Sequence, residues 1–195
     1  MIAVPLDVRS ETSIMEAFDS AVGQFGDVTC LVNNAGIALP QPATEVTWDD
    51  WDAVMAVNLK GAFFLTQRFA ARRIAAGLPG AVVNVGSTHG IVGVADRSVY
   101  GISKAGILHM TRMLAVEWAA AGIRVNAVAP GTVMTPSRQE ILQNPEARSR
   151  ALARIPAGRF PTAEEIAAAV VYLAGPAAAS VTGHVLVVDG GTTVC

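Results

Sequence analysis

The sequence predicts a doubly wound α/β fold, in which helices cover both faces of a parallel β-sheet. Short β-rich runs alternate along the chain with longer helical ones, which is the pattern of strand–helix crossovers. The predicted strands are nearly continuous in apolar residues, as strands buried on both faces are. The 195 residues contain no low-complexity linker and no internal repeat, so we expect residues 1–195 to form a single domain.

Local signals place the individual elements. Strands are predicted over residues 2–6, 28–32, 81–85, 123–128 and 185–188. Apolar residues at helical spacing predict helices over 10–25, 47–75, 98–120 and 163–173, with a short helical excursion within 135–155. Thr47 and Thr162 each begin a helix with acidic residues in its first turn, and Gly26 and Gly122 each end one.

The composition favours an oligomer. Apolar residues make up 52% of the chain and charged residues only 15%, whereas the ordinary charged share is about 25%. A monomer normally exposes more charge, so we expect large buried contacts between subunits. The alternative is a chain that is merely rich in alanine.

The same sequence argues against several partners and locations. Fourteen Lys and Arg against sixteen Asp and Glu leave a net charge of −2 without a basic stripe, so nucleic acid is not an expected partner. We find no signal-peptide pattern and no apolar stretch near the ~20 residues of a membrane span. Cys30 and Cys195 lie outside any metal-ligand spacing, so we expect a cytoplasmic protein without a metal site.

Tyr100 and Lys104 are the first candidates for chemistry. They lie four residues apart on a predicted helix and therefore share one face. A phenol is a poor acid or base at neutral pH, but an ammonium group one turn away stabilises the phenolate and makes proton transfer possible. The Tyr-x-x-x-Lys pattern by itself is weak, because it occurs by chance on many solvated helix faces.

The strand ends make this pattern specific, because ligands of doubly wound sheets bind beyond the carboxyl ends of the strands. Ser87 follows one strand, thirteen residues before Tyr100, and Asn33-Asn34-Ala35-Gly36 closes another. Asn58 lies in Val-Asn-Leu-Lys-Gly on a long helix, and Pro130-Gly131-Thr132-Val133-Met134-Thr135 follows a third strand. In this order and spacing the chain resembles the short-chain dehydrogenase/reductase family, whose fold is Rossmann-like.

The resemblance implies an oxidoreductase that transfers a hydride between NAD or NADP and a secondary alcohol or ketone, with a 3-oxoacyl compound among the candidate substrates. It makes Tyr100 the general acid/base, assisted by Lys104, which also holds the nicotinamide ribose. Ser87 would orient the carbonyl or alcohol, and Asn58 would anchor a water that connects Lys104 to solvent. The family commonly pairs the helices that begin near Thr47 and Ser98, which implies a homodimer or homotetramer.

The resemblance also implies contacts with the cofactor. Asp7 and Val8 match the pair beside the adenine ring, and the alternative for Asp7 is an ordinary turn or cap residue. Asn34, Ala35 and Gly36 match the turn along the adenosine ribose, where the absence of a side chain at Gly36 permits close approach. The resemblance assigns the remaining cofactor contacts to Tyr100, Lys104, Pro130, Gly131, Val133 and Thr135.

His89 lies two residues after Ser87, on the side of the predicted substrate pocket. It is a candidate for contact with the substrate, and the alternative is an ordinary loop histidine.

The family opens with a glycine-rich turn between a strand and a helix, and this sequence has none. The N–H groups of that turn and the helix N-terminus bind the pyrophosphate. We therefore expect an N-terminally truncated domain, shorter by about two strand–helix units, from an internal start, a fragment or a natural short form. Residues 2–6 then lack a neighbouring strand, and residues 28–32 form an open edge.

Two hypotheses of different class follow. The first is an active oxidoreductase, favoured by the complete set of Asn58, Ser87, Tyr100 and Lys104. The second is a catalytically silent homologue, or a subunit that cannot bind the dinucleotide by itself, favoured by the missing glycine turn. In the family, a residue at the end of the second strand selects NAD or NADP, and that strand is absent here. No sequence pattern identifies the substrate.

Overall fold

The computed structural model describes residues 2–134 and 142–195. In those ranges the helices are α1 (Glu11–Phe25), α2 (Trp48–Met55), α3 (Ala62–Ala75), α4 (Ser98–Trp118), α5 (Pro145–Leu152) and α6 (Ala163–Ala174). The strands are β1 (Cys30–Asn33), β2 (Gly80–Val85), β3 (Ile123–Pro130) and β4 (Val185–Val188). All four strands are parallel and lie in the order β1-β2-β3-β4. The predicted parallel α/β fold is confirmed.

Side-chain caps fix where the helices begin, as predicted. Thr47 accepts a hydrogen bond from the Asp50 N–H, and the Asp50 carboxylate bonds back to the Thr47 N–H at the start of α2. Thr162 and Glu165 make the same capping box at the start of α6. Gly26 ends α1 at a φ of 80°, a backbone conformation that glycine adopts without steric cost.

The long helix predicted over 47–75 is interrupted. Ala56–Gly61 forms a π-turn between α2 and α3. Such turns insert an extra residue into an α-helix and occur frequently at functional sites. This one carries Asn58, whose surface is 1% exposed.

The predicted strand over residues 2–6 is wrong. These residues have no regular structure, and Ile2 and Leu6 are exposed. A strand needs a neighbour to accept and donate its backbone hydrogen bonds, and no strand in the described ranges lies beside this segment. The sheet within those ranges therefore has four strands instead of five. β1 lies at its edge, as the sequence predicts.

Helices cover both faces of the sheet. On one face α1, α3 and α4 pack over Val82 and Val125 in the largest buried cluster. On the other face α6 packs through Leu173 over Val83 and Val128. Because Val82 and Val83 are adjacent in β2 yet belong to different clusters, the strand alternates between two buried faces.

The described residues include long helices, such as α4 with 21 residues. None of them is long and apolar enough to cross a membrane. Across the same residues, no group of three or more His, Cys, Asp or Glu side chains is arranged to hold a metal ion.

Candidate active site

The candidate site lies where the carboxyl ends of β1 and β2 meet the first turns of α4. β1 leads into Asn34-Ala35-Gly36, and β2 leads into Ser87. α4 carries Tyr100 and Lys104 in its first two turns. The parallel sheet thus brings the predicted strand-end residues to one edge, as the strand-end rule requires.

A tight turn after β2 places Ser87, which is 8% exposed. Its Oγ accepts a hydrogen bond of 3.1 Å from the His89 N–H, and its carbonyl accepts one of 3.0 Å from the Gly90 N–H. A hydroxyl carries one donor and two acceptor positions. With the His89 N–H on its oxygen, the Ser87 hydroxyl can donate its hydrogen to a substrate oxygen.

Tyr100 and Lys104 share one face of α4, as their spacing predicts. Lys104 Nζ lies 5.8 Å from the centroid of the Tyr100 ring and donates a hydrogen bond of 2.8 Å to the Val85 carbonyl. Lys104 is only 4% exposed, and burial lowers the pKa of its amine to about 8. Since an ammonium group has three donors, it can bind ligand hydroxyls in addition to Val85.

Asn58 ties the π-turn to both neighbouring segments. Its Oδ1 accepts from the Ile37 N–H at 2.8 Å, and its Nδ2 donates to the Ile37 carbonyl at 2.9 Å and to Ser103 Oγ at 3.0 Å. Ser103 in turn donates to the Tyr100 carbonyl at 2.7 Å. Because both amide hydrogens of Asn58 are used, a water bound there must sit on an acceptor atom. The water relay through Asn58 stays a prediction.

Gly36 brings the loop after β1 against Lys104 and Asn58. A Cβ atom at this position would lie 3.3 Å from Lys104 Nζ and 3.4 Å from Asn58 Oδ1. A side chain there would crowd both groups, so glycine keeps this face of the lysine open. Asn34 and Ala35, in the same loop, are exposed.

Pro130 ends β3, and Gly131 and Val133 follow it, one strand further along the same edge. All three are half-buried, and the Gly131 N–H donates to the Val188 carbonyl at 3.0 Å. Thr135, the last of the predicted cofactor contacts, lies outside the described residues.

The Asp7–Val8 pair is placed differently from the rest. Asp7 is exposed, and its Oδ1 and Oδ2 accept hydrogen bonds of 3.0 and 2.8 Å from Arg9. These hydrogen bonds lower the pKa of the Asp7 carboxyl to about 2. Val8 packs against Gly61 at the end of the π-turn. The structure brings Val8 near the element that carries Asn58, while the Asp7 side chain is held by its own neighbour.

Two residues of this region escaped the sequence interpretation. Ser103 could have been found, because it lies three residues after Tyr100 and one before Lys104 on the same helix. Gly90 touches the backbone of α4, and a contact between segments distant in the chain leaves no local signal.

Comparison with known proteins agrees with this arrangement. Residues 1–193 match the protein family described as enoyl-(acyl carrier protein) reductase. The D-threitol dehydrogenase of Mycolicibacterium smegmatis is 40% identical over 189 residues, which cover 96% of this chain and 72% of that protein. The chain belongs to the short-chain dehydrogenase/reductase family.

Two other short-chain dehydrogenases/reductases show the range of the likeness. The 3-oxoacyl-[acyl-carrier-protein] reductase of Thermotoga maritima is 41% identical over 189 residues, covering 97% of this chain and 76% of that protein. The structure of a gluconate 5-dehydrogenase from Burkholderia cenocepacia in complex with NADP and tartrate superposes with a TM-score of 0.92 at 32% identity. That superposition covers 97% of this chain and 74% of the other. The predicted Rossmann-like fold is confirmed, and the protein is an NAD(P)-dependent oxidoreductase of alcohols and ketones.

The residues around Lys104 fit the nicotinamide end of NAD or NADP. A buried amine that forms no ion pair within the described ranges lies beside the opening at Gly36. The pyrophosphate end is different, because no helix of those ranges directly follows a glycine-rich turn. The described residues therefore fit one half of the dinucleotide.

Proposed function

We propose that Tyr100 is the general acid/base of this oxidoreductase, with Ser87, Lys104 and Asn58 as its supporting residues. The observation that carries the proposal is the Lys104 amine, which is buried on the same helix face as Tyr100 and beside Gly36. Burying an ammonium group costs free energy. A perturbed amine kept at that cost, next to a phenol at a sheet edge, is typical of a functional site.

The chain's own residues then divide the work. Tyr100 Oη gives a proton to a ketone oxygen or takes one from an alcohol, and Ser87 donates a hydrogen bond to the same oxygen. Lys104 places its ammonium group on the same helix face as Tyr100, and its unused N–H groups hold ribose hydroxyls. Asn58 keeps α4 in register with the loop after β1 through Ser103. When bound, NAD or NADP supplies or accepts the hydride.

The cofactor contacts extend this proposal along the sheet edge. Beyond Tyr100 and Lys104, we assign them to two strand-end groups, Asn34-Ala35-Gly36 and Pro130-Gly131-Val133 with Thr135, and to Asp7-Val8 in the irregular amino-terminal segment. The close approach that Gly36 permits supports the first group. The Arg9 contact must open before Asp7 can reach an adenine ring.

The test is a rate assay with both cofactors and chemically distinct substrates, namely a four-carbon polyol, a sugar acid and a 3-oxoacyl thioester. In any form of the protein that binds the dinucleotide, turnover of at least one of them, lost in Ser87→Ala and Tyr100→Phe, is the expected result. Turnover that survives both substitutions unchanged would remove Ser87 and Tyr100 from the chemistry.

A second candidate is a catalytically silent homologue, or a subunit that needs another chain to bind the dinucleotide. The lack of a glycine-lined phosphate turn in the described residues favours it. Calorimetric titration of the chain with NAD or NADP separates the two candidates, because only the second predicts that the chain alone does not bind the dinucleotide productively.

We also propose that the protein forms a homodimer or homotetramer through α3 and α4. An apolar groove of about 510 Å³ runs between these helices and the π-turn, and Phe63, Phe64 and Met113 are exposed along it. Met113→Glu places a charge there and should shift the protein towards monomer in light scattering. Val171→Glu, on the exposed side of α6, is the matched control. A parent that is already a compact monomer at micromolar concentration would contradict the proposal.

The single domain and the cytoplasmic location stay predictions. The state of the two cysteines supports the location, because Cys30 and Cys195 are both free thiols, as in proteins of reducing compartments.

A further inference from the structure

The turn that carries Ser87 and the helix that carries Tyr100 meet backbone to backbone. A Cβ atom at Gly90 would lie 2.8 Å from Ala105 N and 2.9 Å from the Lys104 carbonyl oxygen. A Cβ atom at Gly101 would lie 3.0 Å from the His89 carbonyl oxygen. Backbone atoms cannot rotate out of the way as a side chain can. One glycine on each side is therefore what allows the two segments to approach so closely.

Backbone conformation does not account for these two glycines. Neither Gly90 nor Gly101 has a positive φ, unlike Gly26 or Gly122. Gly101 also lies inside α4, where alanine is the better helix former. Space, and not φ, is the property that glycine supplies at both positions.

The contact joins the two groups that must reach one substrate oxygen. On one side, hydrogen bonds from His89 and Gly90 to Ser87 close the turn at 3.1 and 3.0 Å. On the other side, Gly101 directly follows Tyr100. The His89 and Tyr100 rings stand perpendicular across the contact, with 5.7 Å between their centroids.

We propose that Gly90 and Gly101 are positioning residues that set the distance between Ser87 and Tyr100. The proposal rests on the proposed roles of those two residues. An alanine at 90 must move the turn off α4 by about half an ångström or more to restore an ordinary van der Waals contact. Since misplacement by ~1 Å can cost ~10²-fold in rate, Gly90→Ala should lower kcat roughly 10- to 100-fold. Gly101→Ala should lower it less, because it meets a single carbonyl at a longer distance.

Three matched Gly→Ala variants test this proposal. Gly93 belongs to the segment that follows Gly90, has no positive φ, and a Cβ there meets nothing within 4 Å. It is the control. The first readout is the histidine side-chain NMR spectrum without cofactor. The ring current of Tyr100 shifts the His89 signals, so these signals report the distance between the two rings. The chain has three histidines, and His89→Gln assigns the signal.

The His89 signals should move furthest from their parent positions in Gly90→Ala and less far in Gly101→Ala. In Gly93→Ala they should not move. The second readout is kcat, which should fall in the same order while KM values stay within about threefold of the parent. The melting temperature of Gly101→Ala should not fall, since the helix gains a better former. If the two glycines served only the stability of the fold, the variants would be less stable. The losses in kcat would then not follow the order of the NMR changes.

Unmoved His89 signals in Gly90→Ala, or equal movement in Gly93→Ala, would overturn the proposal. Moved signals with an unchanged kcat would overturn it as well. If Gly90→Ala does not fold, Gly101→Ala decides by the same two readouts. A parent that turns over none of the substrates counts against the proposed function, and the NMR comparison still decides whether the glycines set the spacing.

Discussion

The proposed catalytic centre around Ser87, Tyr100 and Lys104 differs in its construction from the amino-terminal segment, residues 2–9. In the centre Ser87 and Lys104 are buried and Tyr100 is half-buried, and Lys104 donates a hydrogen bond to the Val85 carbonyl, nineteen residues away. In the segment the main polar contact joins Asp7 to Arg9, two residues away, and both side chains are largely exposed. Long-range packing preorganises the first region, whereas local polar contacts and the packing of Val8 against Gly61 hold the second.

The two regions differ in how firmly their residues are held. The centre lies where two paired strands meet a long helix, so every group has several neighbours to position it. The amino-terminal segment has no paired strand, and exposed ion pairs are weak anchors because solvent screens them.

The largest expected effect concerns the dinucleotide. The 195-residue chain should bind NAD and NADP at millimolar concentration or not at all, because the pyrophosphate meets no glycine-lined helix N-terminus among the described residues. Two or three lost charge-assisted hydrogen bonds, at about 1.5–3 kcal/mol each, remove roughly 3–9 kcal/mol. Each 1.4 kcal/mol is about tenfold in affinity. Calorimetric titration measures this, and micromolar binding would mean that the amino-terminal half of the site is as well built as the centre.

Tyr100→Phe should come next in size. In any form of the protein that turns over substrate, the rate should fall by about 10²–10⁴-fold, while the fold survives because only one hydroxyl is lost. Tyr172→Phe, at an exposed position on α6, is the control and should keep full activity. A rate for Tyr100→Phe within about threefold of the parent would show that the buried centre is not where the proton moves.

Lys104→Met probes the cost of the buried charge. The pKa of Lys104 is lowered to about 8, below the ordinary 10.5, so between these two pH values the unfolded chain binds a proton that the folded chain does not. Stability of the parent should therefore rise with pH across this window, by about 3 kcal/mol at 1.36 kcal/mol per pKa unit. The stability of Lys104→Met should not rise with pH in this window, and at pH 7 this variant should be more stable than the parent.

Urea unfolding at pH 7, 9 and 10.5 measures the effect of Lys104→Met. Lys60, the other lysine of the chain, is exposed, so Lys60→Met is the matched control and should keep the parent's pH dependence. A parent and a Lys104→Met variant with parallel pH profiles would contradict the buried, perturbed amine.

Arg9→Ala should have the smallest effect. It should leave the unfolding midpoint unchanged within error, because solvent screens the exposed Asp7–Arg9 pair. The pKa of the Asp7 carboxyl should rise from about 2 towards its ordinary value of 3.8 once the Arg9 hydrogen bonds are gone. Carboxyl NMR titration reads this directly, with Arg68→Ala as a control that leaves Asp7 alone. A clear loss of stability would show that the segment is better anchored than its contacts indicate.

Much of the fold follows from the sequence because its signals are local. The caps at Thr47 and Thr162 and the stop at Gly26 are set by a few adjacent residues, and the structure confirms them. The strand predicted over 2–6 failed because an apolar run carries no information about whether a partner strand lies beside it. The π-turn at Asn58 was missed because one inserted residue barely alters the apolar spacing of a long helix.

In the candidate site, too, the features that depend on local signals were predicted and those that depend on packing between distant segments were not. Helical spacing and the strand-end rule bring Ser87, Tyr100 and Lys104 together, and the structure places all three at one edge. The bonds from Asn58 to Ile37 and Ser103, and the approach of Gly90 to α4, depend on how separate segments pack. Patterns within one stretch of chain cannot reveal such contacts.

The order β1-β2-β3-β4 is also the order in which the ribosome makes the strands. Each new strand can therefore dock on one that has already emerged, and no strand needs to insert between two others. The face that carries Val83 and Val128 is covered later, because α6 is made after the first three strands. A nascent chain that has not yet made α6 would present that apolar face to other chains.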